Sequence, residues 1–366
     1  MFVTAAAMDD FDIVIVGGGI AGASLGAEVA ASRRTLIIEA EDHCGFHSTG
    51  RSAAFWLESY GGARVAELTA ASRGALEQGG FLRQRGAVHI SDGDWPEVPE
   101  GVEARRLSRP ELEQIIPGIR SRWSRALLEP GCADIDVAAL HQAFLRSFRQ
   151  AGGTIATGAR LVSGGRRGDS WTLKLEKGSE IHASLVVNAA GAWADPVAAW
   201  CGAEPLGIAP KRRTMVQLRV ARDGLRDLPL VDDSAGTFYF KGEGESSLWL
   251  SPHDEIATDP CDAAPEEIDI ATAIDRFERV VDWRVDQVER TWAGLRNFAP
   301  DRLPVYGFDP DVPGFFWCAG QGGFGIQTAP AAAKLAAALL LQKEPADMVA
   351  QIDPANFSPE RFKPRA

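Results

Sequence analysis

A glycine triplet between an apolar run and a small-residue stretch does most to limit the folds open to this 366-residue chain. Residues 11–16 read Phe-Asp-Ile-Val-Ile-Val, and Gly17-Gly18-Gly19-Ile20-Ala21-Gly22 follows at once. A short, almost wholly apolar run suits a parallel strand covered on both faces. The stretch 20–32 predicts a helix, with Gly22 and Gly26 allowing close packing on the sheet. Residues 35–38 are apolar again and end at Glu39, so the first 40 residues read as a βαβ unit. Gly17-x-Gly19-x-x-Gly22 has the spacing at which bare amides at a helix start receive a pyrophosphate, and Glu39 is placed to accept both ribose hydroxyls. A carboxylate there repels a 2′-phosphate, which disfavours NADP. The motif itself does not separate FAD from NAD.

A second glycine cluster, Gly320-Gln321-Gly322-Gly323-Phe324-Gly325-Ile326-Gln327, follows the apolar run 315–319 and precedes a helical stretch at 329–341. Two such clusters at opposite ends of a chain suggest one long cofactor held from both ends. Just past Glu39, His47-Ser48-Thr49-Gly50-Arg51-Ser52-Ala53-Ala54 offers hydroxyls, a glycine and a cation that can run along a pyrophosphate towards a ring system. The plainer readings are a structural turn and a polar surface loop.

Charge sets limits on partners. The formal net charge is −12 with no dense Lys/Arg run, which argues against nucleic acid. Five cysteines without a CxxC pair read as reduced thiols, hence a cytoplasmic chain. The six histidines show no metal-ligand spacing, and no apolar run reaches the length of a membrane span. Residues 1–8 lack a charged n-region and are expected to be a leader or an upstream start, not a signal peptide.

Later segments return to the same texture. Residues 136–151 predict a helix; 154–162, 171–176, 180–182 and 184–188 predict strands. Between 206 and 298 alternating strand-like runs at 214–220, 237–241 and 247–251 surround one amphipathic helix at 266–281, the pattern of an antiparallel sheet with helices. The expected architecture is an α/β FAD-binding Rossmann-like domain of the glutathione-reductase type with an inserted α+β substrate domain built on an antiparallel sheet. Residues 9–60, 130–203 and 299–345 form the discontinuous cofactor domain, 61–129 and 204–298 the substrate domain, and 1–8 and 346–366 tails.

FAD itself enters through a resemblance. GGGIAG with Glu39, HSTGRSAA, Ala133-Asp134-Ile135-Asp136, VVNAAGAWAD, Pro210-Lys211-Arg212-Arg213, TWAGLR and GQGGFGIQT occur in order over essentially the whole chain and resemble the D-amino-acid oxidase superfamily, most of all its D-arginine dehydrogenase group. The resemblance implies FAD bound noncovalently and extended. Gly17, Gly19, Ala21, Gly22, Glu39 and Ala40 would serve the pyrophosphate and adenosine end. Ser48, Thr49, Gly50, Arg51, Ser52, Ala53, Ala54 and Phe55 would line the flavin, and the backbone at Leu161 or Val162 would meet the adenine. Ala190, Gly191 and Trp193 complete the set with Gly322, Gly323, Phe324, Gly325, Ile326 and Gln327, whose glycine cluster would aim a helix N-terminus at the flavin and stabilise its reduced anion. Cys318 reads as core.

The resemblance also implies that Arg296, Arg213, Tyr239 and Tyr60, with the Gly323 carbonyl, hold a substrate carboxylate, for which a planar guanidinium is suited. Taken alone, Arg296 could form an internal salt bridge, Arg213 could join Lys211 and Arg212 in a basic surface, and the tyrosines could be core. The side-chain pocket is expected at Phe55, Ala87 and His89. Arginine-specific relatives carry a glutamate where Ala87 stands and a histidine where Phe55 stands. Loss of that anion predicts a preference for neutral or apolar over cationic side chains, with Glu58 and His89 as the groups that could compensate. The implied reaction is oxidative deamination of a D-amino acid by hydride transfer from Cα to flavin N5, giving an imino acid and then a 2-oxo acid. No convincing catalytic base is visible. The electron acceptor is expected to be quinone- or dye-like, and the chain a monomer or small homo-oligomer. Alternative readings are oxidation of glycine, a secondary amine or a 2-hydroxy acid, and a flavin-binding protein without catalysis.

Overall fold

The computed structural model describes residues 10–363; the expected leader at 1–8 lies outside them. Phe11–Val16 lies between Thr35–Ile38 and Glu180–Asn188, parallel to both, and Thr154–Ala156 and Phe315–Ala319 extend this parallel sheet at either side. Alternation sorts the first strand onto two layers. Ile13 and Ile15 face the helices Ile20–Val29 and Ala329–Leu341 in one core, whereas Val14 and Val16 face Trp171, Leu173 and Trp317 in another. That two-sided burial is why the run carries almost no polar residue. The second core is roofed by an antiparallel hairpin, Leu161–Arg167 with Ser170–Leu175, which pairs with the first half of Glu180–Asn188.

Two sequence expectations change here. The expected strand 154–162 is two strands, broken at Gly158, whose φ of +58° favours glycine. The expected pair 180–182 and 184–188 is one strand whose two halves pair with different neighbours.

The second sheet has ten strands and is antiparallel except where Leu230–Asp233 runs parallel to Ala87–Ser91. Its longest members, Ala209–Val220 and Val285–Phe298, pair along nearly their whole length. One face packs Val88, Val216, Val231, Phe240 and Leu250 against the helices Arg109–Ile115 and Glu267–Glu278. The other face looks towards the cofactor elements. Gln321–Gly322 adds to the edge of this sheet, pairing Gly322 with Asn297 and Gln321 with Phe298. The late glycine cluster is thereby stitched to the strand that carries Arg296.

Residues 346–363, expected as part of a tail, are packed: Val349 and Phe357 are fully buried, and the Phe357 ring lies against Tyr306. Among the described residues no helix is long and apolar enough to cross a membrane, and no group of three or more His, Cys, Asp or Glu side chains is placed to hold a metal ion.

Candidate active site

A cleft of about 410 Å³ opens where the two sheets approach one another. At one end is the first glycine turn. Gly17 has a φ of +107°, and a Cβ there would stand 2.4 Å from the Ala189 carbonyl oxygen. Gly22 does not line the cleft; a Cβ on it would stand 2.0 Å from Gly17 O, so its role is close packing of helix on turn. Gly17, Gly19, Ala21, Glu39 and Ala40 do line it. The Glu39 carboxylate accepts from Gly18 N at 2.9 Å and Glu41 N at 3.0 Å, which fixes it at the strand end. Thr49 Oγ1 accepts from Ile20 N at 3.0 Å, tying the 47–54 loop to the helix start.

Along the middle, Ser48, Thr49, Arg51, Ser52, Ala53, Ala54 and Phe55 line the cleft with Leu161, Ala190, Gly191 and Trp193. Gly50 stands behind them, donating to Gly45 O at 2.8 Å. Val162 is 40% exposed and outside the lining. The expectation of a cation free to follow a pyrophosphate is corrected at Arg51. Its guanidinium donates to Ala263 O at 2.9 Å and Ala293 O at 3.2 Å and pairs with Asp262, so it ties the 47–54 loop to the second sheet and to the loop at 262–263.

The late cluster also differs from expectation. Gly322, Gly323, Gly325, Ile326 and Gln327 line the cleft, but Phe324 is buried against Tyr60 and Phe298. The helix begins only at Ala329: Gly322 ends a short strand, and Gly323 and Gly325 sit in the turn that precedes the helix. What the glycines provide is space: a Cβ on Gly323 would lie 2.6 Å from Tyr60 Oη and 3.1 Å from Arg296 Nη1.

The substrate end holds the remaining candidates. Arg296 Nη1 donates to Tyr60 Oη at 2.7 Å. Arg213 Nε donates to Asp254 O at 2.7 Å, while Nη1 and Nη2 are buried with no hydrogen-bond partner. Burial and then the neighbouring Arg296 guanidinium pull Arg213 down to about 10. Tyr239 Oη donates to Met215 Sδ at 3.1 Å, and its ring stands edge-on to Phe55 and His253. Arg213, Arg296, Tyr60, Tyr239 and Gly323 thus meet in one place although they lie far apart in sequence.

The side-chain pocket is composed differently from expectation. Phe55, Leu57, Met215 and Leu230 form its wall, while Ala87 is buried behind them and neither His89 nor Glu58 reaches the cleft. His89 is clamped between two carboxylates, Asp232 at 2.8 Å and Glu129 at 3.1 Å. Burial opposes its charge, but the two carboxylates outweigh burial and push it up to about 10. Asp232 itself lines the cleft, so an acidic group does face the pocket despite Ala87. Sequence reading missed it because nothing in Leu230-Val231-Asp232-Asp233 shows which acid reaches the cleft; strand alternation puts Asp232 on the Leu230 face opposite Tyr239, and Asp233 joins the lining at the strand end. His253 was missed as well. It lines the cleft in a left-handed conformation with φ of +54°, and Nδ1 donates to Gly236 O at 2.7 Å.

The donor set fits a long polar cofactor. His47 Nδ1 and Asn297 Oδ1 are buried without a protein partner, and both residues line the cleft between the two glycine clusters. Buried polar atoms are normally satisfied, so these are sockets for a ligand. The family model described as DAO, FAD dependent oxidoreductase, matches residues 12–339. The chain belongs to that family. FAD is the cofactor, and the fold is the family's Rossmann-like FAD domain joined to a substrate domain. Among similar proteins, the glycine oxidase of Pseudomonas aeruginosa is 26% identical over 376 residues, covering 95% of this chain and 98% of that relative. FAD-dependent oxidoreductase domain-containing protein 1 of Xenopus laevis is 28% identical over 183 residues; the match covers 44% of this chain and only 35% of that relative's length. Among solved DAO-like folds, L-proline dehydrogenase from P. horikoshii superposes with a TM-score of 0.81 at 21% identity, covering 98% of this chain and 100% of that one.

Proposed function

We propose that this DAO-family chain oxidises the Cα–N bond of a D-amino acid, yielding an imino acid that water converts to a 2-oxo acid and ammonia. The observation that carries the reading is Arg213, with both terminal nitrogens buried and free of hydrogen bonds beside the Arg296–Tyr60 pair, Glu255 standing 3.7 Å from Nη2. Leaving buried guanidinium donors unpaired is costly, and a planar carboxylate is the group that satisfies two of them at once. FAD supplies the two-electron acceptor for the hydride, and the chain's own residues hold the substrate still. Arg213, Arg296 and Tyr60 are assigned to the carboxylate, Tyr239 to the substrate flank, and Phe55, Leu57, Met215 and Leu230 to the side chain. Orientation and exclusion of water supply most of the acceleration.

A second reading, oxidation of glycine or a secondary amine, draws support from the relatives named glycine oxidase and L-proline dehydrogenase. Both readings use the same carboxylate clamp. The test is anaerobic mixing of the FAD-loaded protein with D- and L-amino acids, glycine, sarcosine and proline, following the visible flavin band. Bleaching by D-amino acids alone supports the first reading, and bleaching by glycine or the secondary amines supports the second. No bleaching by any of them overturns both. Repeating productive pairs in air and with a quinone identifies the acceptor.

A further inference from the structure

His253 stands in the cleft without a role in the reading above. Its backbone φ of +54° is a conformation that histidine adopts rarely and at a cost. What the conformation achieves is definite. Nδ1 lies 2.7 Å from the Gly236 carbonyl oxygen, which can only accept, so Nδ1 carries a proton. In the neutral ring Nε2 then holds a lone pair. The ring edge meets Tyr239 at 5.7 Å between centroids, and the chain leaves His253 through Asp254, whose carbonyl holds Arg213 Nε. The imidazole is therefore fixed on the clamp's own framework, with its tautomer set by the fold.

The charged and titratable groups around the ring come from several elements. Arg213 and Arg296 approach from the two longest strands, Tyr239 from a third, Asp254 and Glu255 from its own segment, and Arg276 from the helix Glu267–Glu278 through Pro252 O and Thr237 O. Burial, followed by the Arg213 and Arg296 guanidiniums, holds the imidazole at about 4. So weak a base is a poor acceptor for an ammonium proton. Burial persists when a carboxylate binds the same two arginines, but the carboxylate offsets their repulsion and strengthens the base.

We propose that His253 Nε2 is the base that accepts the proton of the substrate ammonium, and that it becomes competent only when the substrate carboxylate occupies Arg213 and Arg296. The step breaks one N–H bond, leaves its electron pair on nitrogen and forms the Nε2–H bond. The neutral amine so produced is the form from which a hydride can leave Cα. The base is thereby gated by the substrate and held weak in its absence. The proposal rests on the assignment of the two arginines to a carboxylate.

Two measurements on the FAD-loaded protein test it. Six histidines give a tractable set of ring Cε1 resonances after ¹³C-histidine labelling, and H253N identifies its own. Asparagine tolerates the left-handed backbone and can keep the donor to Gly236, so the variant is expected to fold and retain FAD. In the wild type, His253 should titrate near 4 alone and at clearly higher pH in saturating isobutyrate, a carboxylate without an amine. An unmoved titration with isobutyrate bound overturns the gating. With a reducing substrate, H253N should slow flavin reduction by about 100-fold and shift the acidic limb of kcat. Reduction at the wild-type rate with an unchanged pH profile overturns the base. If no amine bleaches the flavin, the proposed function fails, and the isobutyrate titration still decides whether His253 answers to a carboxylate.

Discussion

Arg296 and Arg213 line one cleft with unequal partners. Arg296 already has a hydrogen-bond partner in Tyr60, whereas the Arg213 terminal nitrogens make no hydrogen bond and Nη2 has only Glu255 at 3.7 Å. Removing the charge in R296M should lower kcat/KM by about 100-fold or more through KM, with flavin content unchanged, as read by steady-state kinetics and the visible spectrum. Asp232 lines the same cleft, opposite Tyr239 in the sheet. Its carboxylate is held by His89 on one side and faces the cleft on the other. D232N should cut kcat/KM for D-lysine or D-arginine by about 10-fold while leaving D-leucine within about 2-fold, because only a cationic side chain loses a partner. A panel run on both proteins checks the ratio. Legibility at this scale was uneven. The arginines and tyrosines stood in recognisable strings, whereas Asp232 and His253 did not, because strand parity and backbone conformation put them in the cleft.

At the scale of elements, His89 links three neighbouring strands: its own, Ala87–Ser91, and the strands of Asp232 and Glu129. Its folded-state value is raised to about 10 from an ordinary 6.5. The sign follows from linkage. A group whose folded value is raised contributes stability that is full below its unfolded value and is lost as pH rises through the folded one. The stability advantage of the wild type over H89Q should therefore shrink between about 6.5 and about 10, measured by denaturant unfolding at each pH. The same strands show why element identity was easier to read than element ends. Two-sided burial makes Phe11–Val16 apolar throughout, and that pattern is unmistakable. The break at Gly158 and the fusion across 180–188 depend on which neighbour each half finds.

For the whole molecule, the last residues matter more than a tail would. Phe357 is fully buried against Tyr306 and belongs to the core that also holds Ile13, Leu25 and Phe316. F357A should destabilise the protein by about 3–5 kcal/mol, as for other buried aromatic truncations, seen as a lower midpoint in chemical unfolding. The segment escaped sequence reading because its turns are short and rich in proline and polar residues, which is the composition of a linker. By itself the sequence determined the two glycine turns, the acid that ends the second strand and the two textures of sheet, since each follows from local sterics and the period of apolar residues. Only the tertiary structure decided what faces the cleft. A side chain separated by hundreds of residues from its partner, such as Tyr60 from Arg296, meets it through the fold; strand parity turned Asp232 inward, and Ala87, on the same face as its register partner Leu230, is covered by the side chains of the wall.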